Sequence, residues 1–228
     1  MALFAIADLH LSLSVDKPMN IFSGWDSYVE KLTENWENTV SDEDIVVIPG
    51  DISWGIDLKE ARADFEYINR LKGKKIISKG NHDYWWQTMA KLNNFLKENG
   101  FDTISFLHNN HYAYEKYGIC GTRGWINDTE APADAKVLAR EAQRLEMSIA
   151  SAVKEGLEPV VFLHYPPVYG NDCNYDILDV MYKYNVRECY YGHLHGKAHK
   201  NAVCGERDGI NFHLIAGDFL EFCPLRVV

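Results

Sequence analysis

Five short segments of this chain end in side chains able to bind metal ions: Asp8 with His10, then Asp51, then Asn81 with His82 and Asp83, then His164, then His193 with His195. Each follows an apolar run that reads as a β-strand: Leu3 to Ala7, Ile45 to Ile48, Lys75 to Ser78, Val160 to Leu163 and Val186 to Tyr191. Ligands of open α/β sheets bind beyond the carboxyl ends of the strands, so neighbouring strands would bring all five endings to one crevice. Asp8 with His10, and His193 with His195, are spaced i, i+2, which puts both members of a pair on one side of extended backbone. Gly50, Gly80 and Gly192 stand just before polar residues, where glycine supplies positive φ or close backbone approach. Taken singly, each place has a plainer reading, because Gly-Asp and Gly-Asn are common turn dipeptides and a lone histidine after a strand is usually a surface or satisfied residue. The weight rests on their coincidence at successive strand ends.

The elements needed to position these residues are legible in the periodicity. Between the first two strands, Trp25, Val29, Leu32, Trp36 and Val40 share one helical face, and Ser27 with Glu30 predicts a capping box. The next crossover carries Leu58, Ala61, Phe65, Ile68 and Leu71, and a third helix carries Trp86, Met89, Leu92, Phe95 and Leu96. A longer helix from about Ala133 to Lys154 presents Val137, Leu138, Leu145, Ile149 and Val153. Tyr112 to Gly121 reads as two short strands around a turn, and Ile210 to Val227 also lacks helical spacing, so a second sheet is expected.

The 228 residues suit a single domain over 1–228 with a self-sufficient core, since no linker, repeat or low-complexity tract divides them. A formal charge of -10 weighs against non-specific nucleic-acid or anionic-lipid binding. Five separated cysteines without a Cys-x-x-Cys pair argue against a disulfide framework or zinc ribbon and suit a reducing cytoplasm. The apolar stretch from Ala2 to Ala7 is too short for a signal peptide, and no run approaches the ~18 apolar residues of a membrane span.

In order, the five blocks resemble the calcineurin-like metallophosphoesterase superfamily, whose pattern is Asp-x-His, Gly-Asp, Gly-Asn-His-Asp/Glu, a lone His and Gly-His-x-His. The resemblance runs from Asp8 to His195 and implies an α/β fold: a four-layer α/β/β/α sandwich of two mixed β-sheets flanked by helices. It also implies two divalent ions, one held by Asp8, His10 and His195, the other by Asn81, His164 and His193, with Asp51 bridging. Nitrogen and oxygen donors without thiolate accept manganese, iron, zinc, nickel or cobalt. Two such ions ~3.5–4 Å apart acidify a bridging water and bind phosphoryl oxygens, so the expected reaction is hydrolysis of a small phosphomonoester or phosphodiester by the bridging hydroxide. His82 matches the family's general acid.

Phosphoprotein phosphatases of the superfamily carry an aspartate that orients this histidine, where this chain has Trp54, so the partner of His82 is sought among Asp83, Ser53 and Asp57. Arg123 reads equally as a bidentate phosphate clamp or an exposed turn residue. Trp54, Trp125, Tyr165 to Pro167, Tyr169 and Asn174 read as cleft lining or, more plainly, as packing. Gly217-Asp218 reads as a bulge or turn, His199 as a solvated loop residue, and His108, His111 and His213 as structural. The competing functions are a nucleotide pyrophosphohydrolase or nuclease on the same centre, and a non-catalytic metal-binding scaffold.

Overall fold

The computed structural model describes residues 1–125 and 134–227. Its first half alternates β1 (Leu3–Ala5), α1 (Tyr28–Thr39), β2 (Ile45–Pro49), α2 (Arg62–Arg70), β3 (Lys74–Ser78), α3 (Met89–Asn99) and β4 (Ile104–Phe106). The four strands are parallel neighbours in that order. There follow the hairpin of β5 (Tyr112–Tyr114) and β6 (Tyr117–Thr122), then α4 (Asp134–Lys154) and β7 (Glu158–Leu163). A small hairpin of β8 (Val168–Tyr169) and β9 (Asp172–Cys173) leads to α5 (Tyr175–Lys183) and β10 (Glu188–Tyr191). The chain ends with β11 (Gly205–Arg207), β12 (Ile210–Leu214) and β13 (Leu225–Arg226).

Two mixed sheets result, ordered β13-β1-β2-β3-β4 and β11-β12-β10-β7-β6-β5. Side-chain alternation along a strand sorts the core into three layers. Val46 and Ile48 of β2 pack with Leu32 and Trp36 of α1 and Phe65 of α2 on one outer face. Ile45 and Val47 point the other way, to meet Val160 and Phe162 of β7 between the sheets. Val161 and Leu163 then pack outward with Leu145 and Ile149 of α4 and Ile177 and Met181 of α5. Strands covered on both faces need continuous apolar runs, which is why β2 and β7 read as unbroken hydrophobic stretches. The four-layer sandwich is present as expected.

Several details differ from the sequence reading. Ser27 sits in the left-handed region at φ 50° and makes no side-chain cap, so the capping box does not form. Val153 is exposed, because the buried stripe of α4 runs through Leu145, Ile149 and Ala152. The expected start of that helix at Ala133 lies outside the described residues. The C-terminal stretch divides between the sheets: β12 joins the second, whereas β13 returns to pair antiparallel with β1.

Candidate metal centre

The five polar endings do converge, though not beside one another in one sheet. Asp8, His10, Asp51, Asn81 and His82 follow β1, β2 and β3 of the first sheet, and His164, His193 and His195 follow β7 and β10 of the second. The two sheets meet at these ends. Asp8 Oδ2 accepts the His193 backbone N–H at 2.8 Å, and His164 Nδ1 lies 3.2 Å from the Pro49 carbonyl. Within each sheet the loops lock together: Asp8 N donates to Gly50 O at 3.1 Å, His10 N to Asp51 O at 2.9 Å and Gly192 N to His164 O at 3.1 Å.

Left-handed backbone appears at the donor residues themselves: Asp8, His10, Asp51 and His193 have φ of 61°, 44°, 53° and 70°. Such strain in non-glycine residues concentrates at functional sites. Of the three preceding glycines only Gly50 has positive φ, at 95°. Gly80 and Gly192 are required for space, since a Cβ at Gly80 would overlap the Asp51 carboxylate and one at Gly192 would overlap that of Asp8.

Two donor groups result. Ligand atoms of Asp8, His10 and His195 lie within 4.8 Å of one another, and those of Asp51, His164 and His193 do the same. Asp51 faces both groups, with Oδ2 at 3.6 Å from His10 Nε2 and Oδ1 at 3.5 Å from His164 Nε2. The Asn81 side-chain oxygen is 2.6 Å from His164 Nε2. His10 Nε2 faces His195 Nε2 at 3.3 Å, and the buried Asp8 Oδ1 has no hydrogen-bond partner although two ring nitrogens lie 3.6 and 3.7 Å away. Ring nitrogens crowded around an orphaned carboxylate oxygen form a set that a divalent cation would satisfy, so the residues fit divalent ions.

Protonation agrees with this fit. Burial pushes His10, His164 and His193 down to about 3, so their ring nitrogens are free to ligate. Burial, with the neighbouring Asp51 carboxylate, raises Asp8 against the pull of His195. Burial also opposes charge on His195, but the Asp218 hydrogen bond and the Asp8 carboxylate outweigh it and lift the imidazole to about 9. In the metal-free chain His195 is thus an internal cation standing in the donor cluster.

The family model for calcineurin-like phosphoesterases matches residues 1–197. The chain belongs to this family. The phosphoesterase has no significant match among functionally curated proteins. It is similar in fold to the phosphopantetheinyl hydrolase of Mycobacterium tuberculosis, at 15% identity and a TM-score of 0.54, over 100% of this chain and 95% of that one. TT1561 of Thermus thermophilus aligns over 86% of this chain and 82% of its own, at 14% identity and a TM-score of 0.57. A protein of unknown function from Aquifex aeolicus aligns over 99% and 95%, at 16% identity and a TM-score of 0.52.

Around the phosphoesterase donors, the structure changes several sequence-based assignments. His82 Nε2 lies 4.0 Å from Asp51 Oδ2, and its buried Nδ1 has no hydrogen-bond partner. Its neighbour is Trp54, with ring centroids 4.5 Å apart, and Trp54 also stacks on His10 at 5.1 Å. The three proposed carboxylate and hydroxyl partners are engaged elsewhere. Asp83 accepts backbone N–H bonds from Gly80, Ile52 and Asp51 at 2.7, 2.8 and 2.9 Å, and the Trp85 indole at 3.1 Å. Ser53 Oγ donates to Asp64, and Asp57 accepts from Lys59 and Glu60.

Arg123 is no exposed turn residue. Its guanidinium lies 4.6 Å over the Trp125 ring, with Nη2 3.8 Å from the buried Glu141, and its carbonyl accepts the backbone N–H groups of His164 and Tyr165. Asp218 is the residue that sequence reasoning missed. Its Oδ1 is 2.8 Å from His195 Nδ1, its Oδ2 accepts the Gly196 N–H at 3.0 Å, and Oδ2 also lies 3.3 Å from His199 Nε2. His199 is half-buried beside Asp218 and the Phe219 ring, with no hydrogen bond at Nε2. The available signal was a Gly-Asp pair closely following the apolar run of β12, the same arrangement that places Asp51 after β2. His111 and His213 bind Ser151 and Glu188, at 2.7 and 2.8 Å.

Proposed function

We propose that this phosphoesterase hydrolyses a small phosphomonoester or phosphodiester at a pair of divalent transition-metal ions, acting as one domain. The observation that carries the reading is the Asp51 carboxylate, one oxygen facing His10 of the first donor group and the other His164 of its own. In this reading Asp8, His10 and His195 hold one ion, Asn81, His164 and His193 the other, and Asp51 is shared. When bound, such ions polarise a phosphoryl group and make water a nucleophile at neutral pH. The nitrogen and oxygen donors admit manganese, iron, zinc, nickel or cobalt.

The remaining work falls to the chain itself. His82, on the open side of Asp51 with about a third of its side chain accessible, donates the proton needed by the departing oxygen. Arg123, whose guanidinium lies over the Trp125 ring with Nη2 3.8 Å from Glu141, is the cationic fork assigned to phosphoryl oxygens. Five free cysteines suit a reducing cytoplasm, and among the described residues no helix is long and apolar enough to cross a membrane. The charge of -10 weighs against a nuclease. Intact donors and an accessible His82 weigh against a non-catalytic scaffold.

The test begins with protein stripped of metal. Adding manganese is expected to switch on hydrolysis of aryl phosphoesters, with monoester and diester compared in parallel and a nucleotide panel after them. No turnover with any first-row divalent ion overturns the proposal, and elemental analysis finding a single ion per active chain overturns its dinuclear part.

A further inference from the structure

The metal centre adjoins a cavity of about 290 Å³, close to the lower bound of about 300 Å³ for small-molecule sites. Both of its walls begin at donor residues. One follows His164 through Pro166, Pro167 and Tyr169, and the other follows His193 through Leu194 to Ala198 on the turn at 196–201. His193 itself lines the cavity, so the cavity and the donor cluster share a wall. The two walls are tied across the top: Gly170 N donates to Asn201 O at 2.9 Å and Asn201 Nδ2 to the Tyr169 hydroxyl at 3.2 Å.

The polar groups here are spoken for or unsuited to an anion. Asn174 Oδ1 accepts the Ile177 N–H at 3.2 Å and its Nδ2 donates to the Trp125 carbonyl at 3.0 Å. Asp172 places a carboxylate at the edge, and no lysine or arginine lines the cavity among the described residues. We infer that this cavity is the subsite for an uncharged apolar or aromatic group of the substrate, covalently joined to the phosphoryl group seated at the ions. The inference rests on the phosphohydrolase reading above. A second phosphate, as in a nucleoside diphosphate, would meet prolines and a carboxylate here, and a long lipid tail would exceed the volume.

Phosphonates separate the two readings, because they present a phosphoryl group without a leaving group. Calorimetric titration of the manganese-loaded protein with methyl-, ethyl-, propyl-, butyl- and benzylphosphonate is expected to give about fourfold tighter binding per methylene, and about 60-fold from methyl to butyl. In Ala198→Phe, which fills the cavity from a surface turn, the series should flatten while elemental analysis still finds bound metal. Tyr169→Ser, which removes the facing ring, should shorten the gain for benzylphosphonate and serves if Ala198→Phe does not fold. Methylphosphonate binding with no gain along the wild-type series overturns the subsite and leaves the metal centre standing. No binding of any phosphonate with any metal strikes the phosphohydrolase reading and this inference together.

Discussion

At the residue scale, the proposed centre separates side chains that would hold ions from side chains that hold those side chains. Asp218 belongs to the second kind, fixing His195 through Nδ1 so that Nε2 faces His10. Partners of this type are worth about 10- to 100-fold in metal affinity. Asp218→Asn is therefore expected to lose about that much affinity at one of two sites, read by competition with a chelator; an unchanged isotherm would reduce Asp218 to a turn residue. His82 makes the complementary prediction. Its ring is positioned by Trp54 packing instead of a carboxylate, so His82→Ala should retain both ions yet lose about 10²- to 10⁴-fold in turnover with poor leaving groups. With p-nitrophenol, which departs without a proton, the loss should shrink. A loss independent of leaving group would assign His82 to phosphate binding alone.

At the element scale, the donor-bearing loops are joined by a buried carboxylate that ligates nothing. Asp83 gathers the N–H groups of Gly80, Asp51 and Ile52, which binds the loop after β3 to the loop after β2. Asp83→Ala leaves these donors buried without a partner and is expected to cost about 3 kcal/mol or more in urea unfolding. The seam between α2 and β3 yields a pH prediction. Lys75 is fully buried, donates from Nζ to the carbonyls of Leu71 and Gly73, and is pushed by burial down to about 8. Between pH 8 and about 10.5 the unfolded chain binds more protons than the folded one, so this group's contribution to stability rises with pH across that window and falls away below it. The difference between wild type and Lys75→Met should change by about 2–3 kcal/mol over that interval, and carbon NMR of labelled lysine should show one ε-carbon titrating near 8. A Lys75 midpoint at the ordinary value near 10.4 would refute it.

Most of this architecture was readable from the sequence, and the failures have physical causes. Apolar runs ending in metal-competent residues located the five donor segments, because strands buried on both faces leave little else for their sequences to say. Asp218 escaped because Gly-Asp is also a turn, and only the approach of β12 to β10 brings it under His195. The left-handed donors escaped because φ at Asp8 or His193 is imposed by tertiary bonds and has no local signature. Trp54 stood where a carboxylate was sought, and nothing in one sequence shows that an aromatic face could replace it.

At the scale of the whole molecule, the ions would sit where two sheets meet, so their binding is also binding between sheets. Unfolding free energies in urea should rise on adding manganese, by about 2.7 kcal/mol per ion at a hundredfold excess over the dissociation constant, and fall back with chelator. An unshifted midpoint at saturating metal would place the ions outside the folded centre. The order of the segments has a consequence for how the protein is made. On a chain emerging from the ribosome, Asp8, His10, Asp51 and Asn81 precede His193, His195 and Asp218 by more than a hundred residues, and β13, which closes onto β1, follows them. With only the first sheet made, the polypeptide carries half a claw. Ions held by the full donor set would therefore report that the two sheets have docked.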